Sequence, residues 1–365
     1  MTVTQTADGA GRLTSPFGWE QHCCLPVQAE CDIAPLRRYL DAGVSYLSVN
    51  VGFAPHDIDA SMRVLGSWRR QVLLSSEFAL VSTVEEMLAA QQQGQLVVGF
   101  DLEDTNPLGG EIGMIQAYYD LGVRSMLMTY NGENLAGFGC HAPEDTGLTS
   151  FGRAVVEEMN RVGMVVDVSH CGYRTSMDAL ERTASPAIFS HSNMRSVWDH
   201  ERNIGDDQAR ACAATGGVIG INGVGIFLGD NDISVAAMAR HIDYAVELVG
   251  PQHVGIGTDF VFDTDDLSLE LANAQIFPAS YRSGKQVDFF PPEQLPPLEA
   301  ALAGLGYPAA DIAAIMGGNF LRVARQVWKP AAAPVGHPGR RPGLVEPLLG
   351  AAGPGPGITP GRRPG

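Results

Sequence analysis

Eight short apolar, β-branched runs recur along this chain, each ending in a polar residue and each followed by a segment with helical spacing. The runs are Phe17–Cys24, Val44–Val51, Leu96–Glu103, Ser125–Tyr130, Met164–His170, Ala187–His191, Val218–Asn222 and Val254–Asp259. Between them, Gly152–Val162, Ser176–Arg182, Asp206–Ala214 and Ser234–Leu248 carry apolar residues at helical intervals. Strands that are apolar on both faces belong to a parallel sheet covered by helices. Eight β/α units over about 300 residues point to a closed (β/α)8 TIM-type barrel. An open, doubly wound sheet is the alternative. It calls for a glycine-rich phosphate loop after the first strand, and the sequence has none there.

The ends of these runs carry the chemistry. They are His22 and Cys24, Asn50, Glu103, Tyr130 and Asn131, His170, His191, Asn222 and Asp259. In a barrel all strand ends open on one face, so residues far apart in sequence meet in one cup. A single histidine ending a strand is more often a structural group than a ligand. Several such groups together, each costly to bury alone, are satisfied jointly by a shared metal. Zinc accepts imidazole, carboxylate and thiolate. His22 and Cys24 are two residues apart and share a strand face, whereas Cys23 points away into packing. The expected ligands are therefore His22, Cys24, Glu103, His170 and His191, with Glu103 placed to bridge two zinc ions. Asp259 is placed to move a proton.

Several segments resemble the zinc dipeptidases typified by renal (membrane) dipeptidase, within the amidohydrolase superfamily. They are Phe100-Asp101-Leu102-Glu103, Gly147–Arg153, Val166–His170, Phe189–Asn193, Arg202-Asn203-Ile204 with Asp206-Asp207, Gly255–Phe260 and Gly317–Val323. The resemblance spans roughly residues 17–328. It implies hydrolysis of a dipeptide's amide bond, zinc ligation by His170, His191 and a bridging Glu103, and a homodimer. It further implies that Arg202 grips the substrate carboxylate and that Asp259 carries the proton. Two positions depart from the pattern. Cys24 stands where the family has an aspartate, and Tyr130 stands where its prototype has a histidine that polarises the scissile carbonyl. Tyr130 and Asn131 are expected among the substrate contacts. The departures keep two other readings open: an amidohydrolase acting on an N-acyl amino acid or another small amide, and a non-catalytic binding protein on the same fold.

The formal net charge of −17 opposes a nucleic-acid partner. No apolar run is long enough to span a bilayer, and the N-terminus lacks a signal pattern. Six irregularly spaced cysteines do not form a disulfide framework, so a cytoplasmic protein is expected. The division expected is a barrel over 1–328 and a disordered Pro/Gly-rich tail over 329–365.

Overall fold

The structure, a computed structural model, describes residues 11–330 apart from 275 and 283–285. Its strands are β1 (Gly18–Cys24), β2 (Val44–Asn50), β3 (Phe78–Ala79), β4 (Leu96–Leu102), β5 (Val123–Leu127), β6 (Val165–Asp167), β7 (Ile188–Phe189), β8 (Val218–Ile221), β9 (Val254–Ile256) and β10 (Phe260–Val261). All pairings are parallel, in the order β10-β1-β2-β4-β5-β6-β7-β8-β9, with β3 added beside β4. Seven of the eight apolar runs contain one of these strands whole, Ser125–Tyr130 overlaps β5, and the last run contains β9 and stops immediately before β10.

β9 and β10 are one strand interrupted at Gly257–Asp259. The first half pairs with β8 and the second with β1, so the sheet curls round and its two ends meet through a single stretch of chain. Glu20 fixes the interruption from inside: its carboxylate accepts from the Thr258 N–H at 2.6 Å and the Thr258 hydroxyl at 2.9 Å. Asp259 N–H then donates to His22 O at 3.0 Å, which ties the eighth strand to the end of the first.

The helices cover the outside with one apolar face each. Ser150–Val162 is a clear case: Thr149 caps its first turn through Gly152 N–H, Gly163 ends it at φ 93°, and Val155, Val156, Met159 and Val162 face the sheet. At the floor, Trp19 stacks on Tyr46 with centroids 3.9 Å apart, and Phe320 of the last helix, Asn319–Val327, closes over them. Trp19 Nε1 donates to Gln21 Oε1 at this floor, while the imidazoles and carboxylates of the donor groups collect at the strand ends opposite.

Lys329 N–H donates to the Tyr119 hydroxyl at 2.9 Å, and its ammonium donates to the carbonyls of Asn160 and Arg161. The expected tail beyond 330 lies outside the described residues.

Candidate metal centre

Imidazoles and carboxylates from five strand ends converge on one point. Glu103 Oε1 lies 3.2 Å from His170 Nε2, 3.3 Å from His191 Nε2 and 3.5 Å from His22 Nε2. The Nε2 atoms of His170 and His191 are 3.0 Å apart. On the far side of His22, Cys24 Sγ lies 3.5 Å from Nε2, and Asp259 Oδ1 lies 3.7 Å from Nε2 and 3.9 Å from Sγ. Three overlapping donor groups result among the described residues: Glu103-His170-His191, His22-Cys24-Glu103 and His22-His191-Asp259. Every expected ligand is therefore in the cluster, and Glu103 belongs to two of the three groups.

The other atom of each donor is engaged behind the cluster. His170 Nδ1 donates to Asn131 Oδ1 at 2.7 Å; the assignment follows because the Asn131 amide N–H is given to Ile276 O. That leaves the His170 Nε2 lone pair facing the cluster. His191 Nδ1 meets Ser190 Oγ at 2.7 Å, and His22 Nδ1 lies 3.1 Å from Asp101 Oδ1. Asp101 Oδ2 in turn accepts from Ser48 at 2.6 Å, and Glu103 Oε2 accepts from Asn50 Nδ2, also at 2.6 Å. Outer partners of this kind orient metal-ligating histidines and carboxylates.

The spacing suits a metal. Bonds of about 2.0–2.1 Å at tetrahedral angles put nitrogen and oxygen donors about 3.3 Å apart around zinc, and thiolate slightly further. Without such an ion, the His170 Nε2 lone pair would face the Glu103 carboxylate at 3.2 Å. Burial holds His170 down to about 3 and His191 well below the usual range, so both imidazoles are neutral. Burial also opposes charge on His22, but Asp101, Cys24 and Glu103 outweigh it and raise that imidazole. Burial lifts Asp259 to about 6, with His22 opposing and Glu103 adding to the rise.

Three of the four non-glycine residues with positive φ among the described residues sit here: Asn131 at 41°, His170 at 59° and Asp259 at 56°. Such conformations are costly and persist where the surroundings hold them, often at functional sites. Asp259 Oδ2 accepts from Asn222 Nδ2 at 3.0 Å, which aims Oδ1 at the cluster.

The remaining expected site residues divide. Tyr130 stacks on His170, with centroids 4.3 Å apart, and lines the cavity that opens over the cluster. Asn131 is buried, with both ends of its amide used, so it supports His170 rather than facing the cavity. Arg202 is 3% exposed and has no carboxylate partner among the described residues. Its Nη atoms donate to Ser192 Oγ at 2.9 Å and His191 O at 2.8 Å, while its buried Nε has no partner among the described residues. It lines an adjoining cavity that shares His170 with the first.

Asp101, Asn131 and Ser190 acquire supporting roles that sequence reasoning did not assign. A signal existed for Asp101, because it shares Glu103's strand face by the two-residue period.

The family model for membrane dipeptidases (peptidase family M19) matches residues 28–279. An uncharacterized dipeptidase of Schizosaccharomyces pombe is 32% identical over 194 residues, 51% of this chain and 47% of that protein. Dipeptidase 3 of Rattus norvegicus is 28% identical over 295 residues, 78% of this chain and 56% of that protein. The chain thus spans about half the length of these two relatives. Among solved structures, an amidohydrolase from Pseudomonas aeruginosa superposes with a TM-score of 0.79 at 25% identity, over 86% of this chain and 96% of that one. A metallo peptidase from Rhodobacter sphaeroides shares the fold, with a TM-score of 0.69 at 18% identity over 86% of this chain and 99% of that one. By sequence, fold and matched region together, the chain belongs to the membrane dipeptidase family, peptidase family M19.

Proposed function

We propose that this protein hydrolyses the amide bond of a dipeptide, with two zinc ions held by His22, Cys24, Glu103, His170 and His191. The observation that carries the reading is the convergence of three imidazole Nε2 atoms on one oxygen of Glu103, with Asp259 beside them. When bound, zinc supplies Lewis acidity toward an amide carbonyl and toward attacking water. His170 and His191 group with Glu103 at one position, and His22 and Cys24 group with Glu103 at the other. Glu103 is common to both groups; its imidazole contacts run through Oε1, while Oε2 accepts from Asn50.

Asp259 takes the proton from the attacking water at Oδ1 and returns it to the departing amine, while Asn222 holds Oδ2 still. Tyr130, held against His170 at the cavity edge, donates from its phenol to the oxyanion. Arg202, across His170 from that cavity, binds the carboxylate end of the substrate. A forked guanidinium with an unpaired, buried Nε suits that task. All six cysteines are free thiols, and oxidation of Cys24 would remove a ligand, which supports a reducing, cytoplasmic setting.

The test is direct. Zinc-loaded protein is expected to cleave members of a panel of L-L, L-D and D-L dipeptides, and the loss of that activity on metal removal should be reversed by zinc. Cleavage of none of them by fully loaded protein would contradict the reading.

A further inference from the structure

The cavity over the cluster is partly open to solvent. Its floor is the polar cluster, but its wall is apolar: Leu25, Phe53, Ile226, Leu267, Phe277 and Phe289 come from four separate loops. Among the described residues no lysine or arginine lines it, and the charges at its rim are the carboxylates of Asp263 and Asp266. The guanidiniums lie in the adjoining cavity, where Arg174, Arg195 and Arg202 are found together with the carboxylates of Asp145, Glu201 and Asp207.

From this division we infer that the cup is a specificity pocket for a bulky apolar side chain on the N-terminal residue of the substrate. The inference rests on the dipeptidase reading above and adds the substrate class to it. An amide bond at the cluster has two directions open to it. The carboxylate end is drawn toward Arg202, and the α-ammonium end toward Asp263 and Asp266. The N-terminal side chain then enters the cup. There a leucine or phenylalanine side chain covers apolar wall that a glycine leaves wet. An acidic side chain would lose its hydration, find no cationic partner among the described lining residues, and face two like charges. Selectivity built from apolar contact alone is on the order of tenfold to a few hundredfold.

Two measurements on the zinc-loaded protein test this separately from catalysis. In calorimetric titrations, leucinamide and phenylalaninamide are expected to bind at least about tenfold more tightly than glycinamide. In Leu267→Arg and Phe289→Ala that advantage should shrink, with metal content and circular dichroism serving as the folding control. In turnover of an X–Ala series, kcat/KM should rise in the order Glu, Gly, Leu or Phe at X, and Leu267→Arg should raise the relative rate on Glu–Ala. Equal binding of the three amides, or Glu–Ala as the best substrate, would overturn the inference. Dipeptides cleaved without preference at X would overturn the cup while leaving the dipeptidase reading in place. Selective amide binding without cleavage of any dipeptide would support the cup and remove the dipeptidase.

Discussion

At the scale of residues, the site depends as much on what stands behind the donors as on the donors. Asn131 illustrates this. Its carbonyl fixes the His170 tautomer, and its own amide is fixed by Ile276. Replacing it with alanine removes the acceptor that holds the Nδ1 proton, so His170 is free to rotate or change tautomer. Asn131→Ala is expected to weaken metal retention by about 10- to 100-fold in competition with a chelator. Unchanged retention would show that His170 is held by packing alone. The donors themselves were legible in the sequence because each ends an apolar run. Asn131, Ser190 and Asp101 were not assigned these roles, because a side chain's hydrogen-bond partner depends on which strand ends become neighbours. Asp101 pairs with a histidine 79 positions earlier, and no local pattern reports that.

At the scale of elements, the periodicity located every strand except the two-residue β3 and β10, because a parallel barrel buries both faces of each one. It did not reveal the break in the eighth strand. That break arises from tertiary contacts, the Glu20 carboxylate on Thr258 and the close approach of β7 at Gly257. A Cβ at Gly257 would lie 1.8 Å from the Ser190 carbonyl oxygen, a backbone atom that cannot step aside. Gly257→Ala is therefore expected to cost about 3 kcal/mol or more in urea denaturation, or to prevent folding. A change below about 0.5 kcal/mol would mean that the strands separate easily there.

His241, in the helix Val235–Val249, joins two loops: Nδ1 accepts from Met194 N–H, and Nε2 donates to Leu228 O. Burial lowers it to about 4. The unfolded chain thus takes up a proton near pH 6.5 that the folded protein refuses until about pH 4. The stabilising contribution is complete above the unfolded value and is lost as pH falls through this window, up to about 3 kcal/mol in all. Stability against urea should fall less steeply between these pH values in His241→Gln than in wild type. Parallel curves would contradict this.

At the scale of the whole molecule, the barrel separates two tasks. Its floor is closed by stacked aromatic rings, and its mouth gathers nearly every chemically active side chain that ends a strand. The loops over the mouth divide the approach into an apolar, acid-rimmed cup and a cavity lined by both arginines and carboxylates, with His170 shared between them. Fold and donor set were readable from one chain because both follow from strand periodicity. The division of the mouth was not, since it is made by loops such as Gly223–Ile233 whose conformations obey no period. We propose that this mouth holds a two-ion centre in which Cys24 is a ligand. The decisive measurement is metal content per chain, by elemental analysis on wild type and Cys24→Ala side by side. About two zinc equivalents are expected in wild type and about one in the variant. One equivalent or none in wild type, unchanged by the substitution, would contradict it and leave Cys24 as packing beside a simpler site.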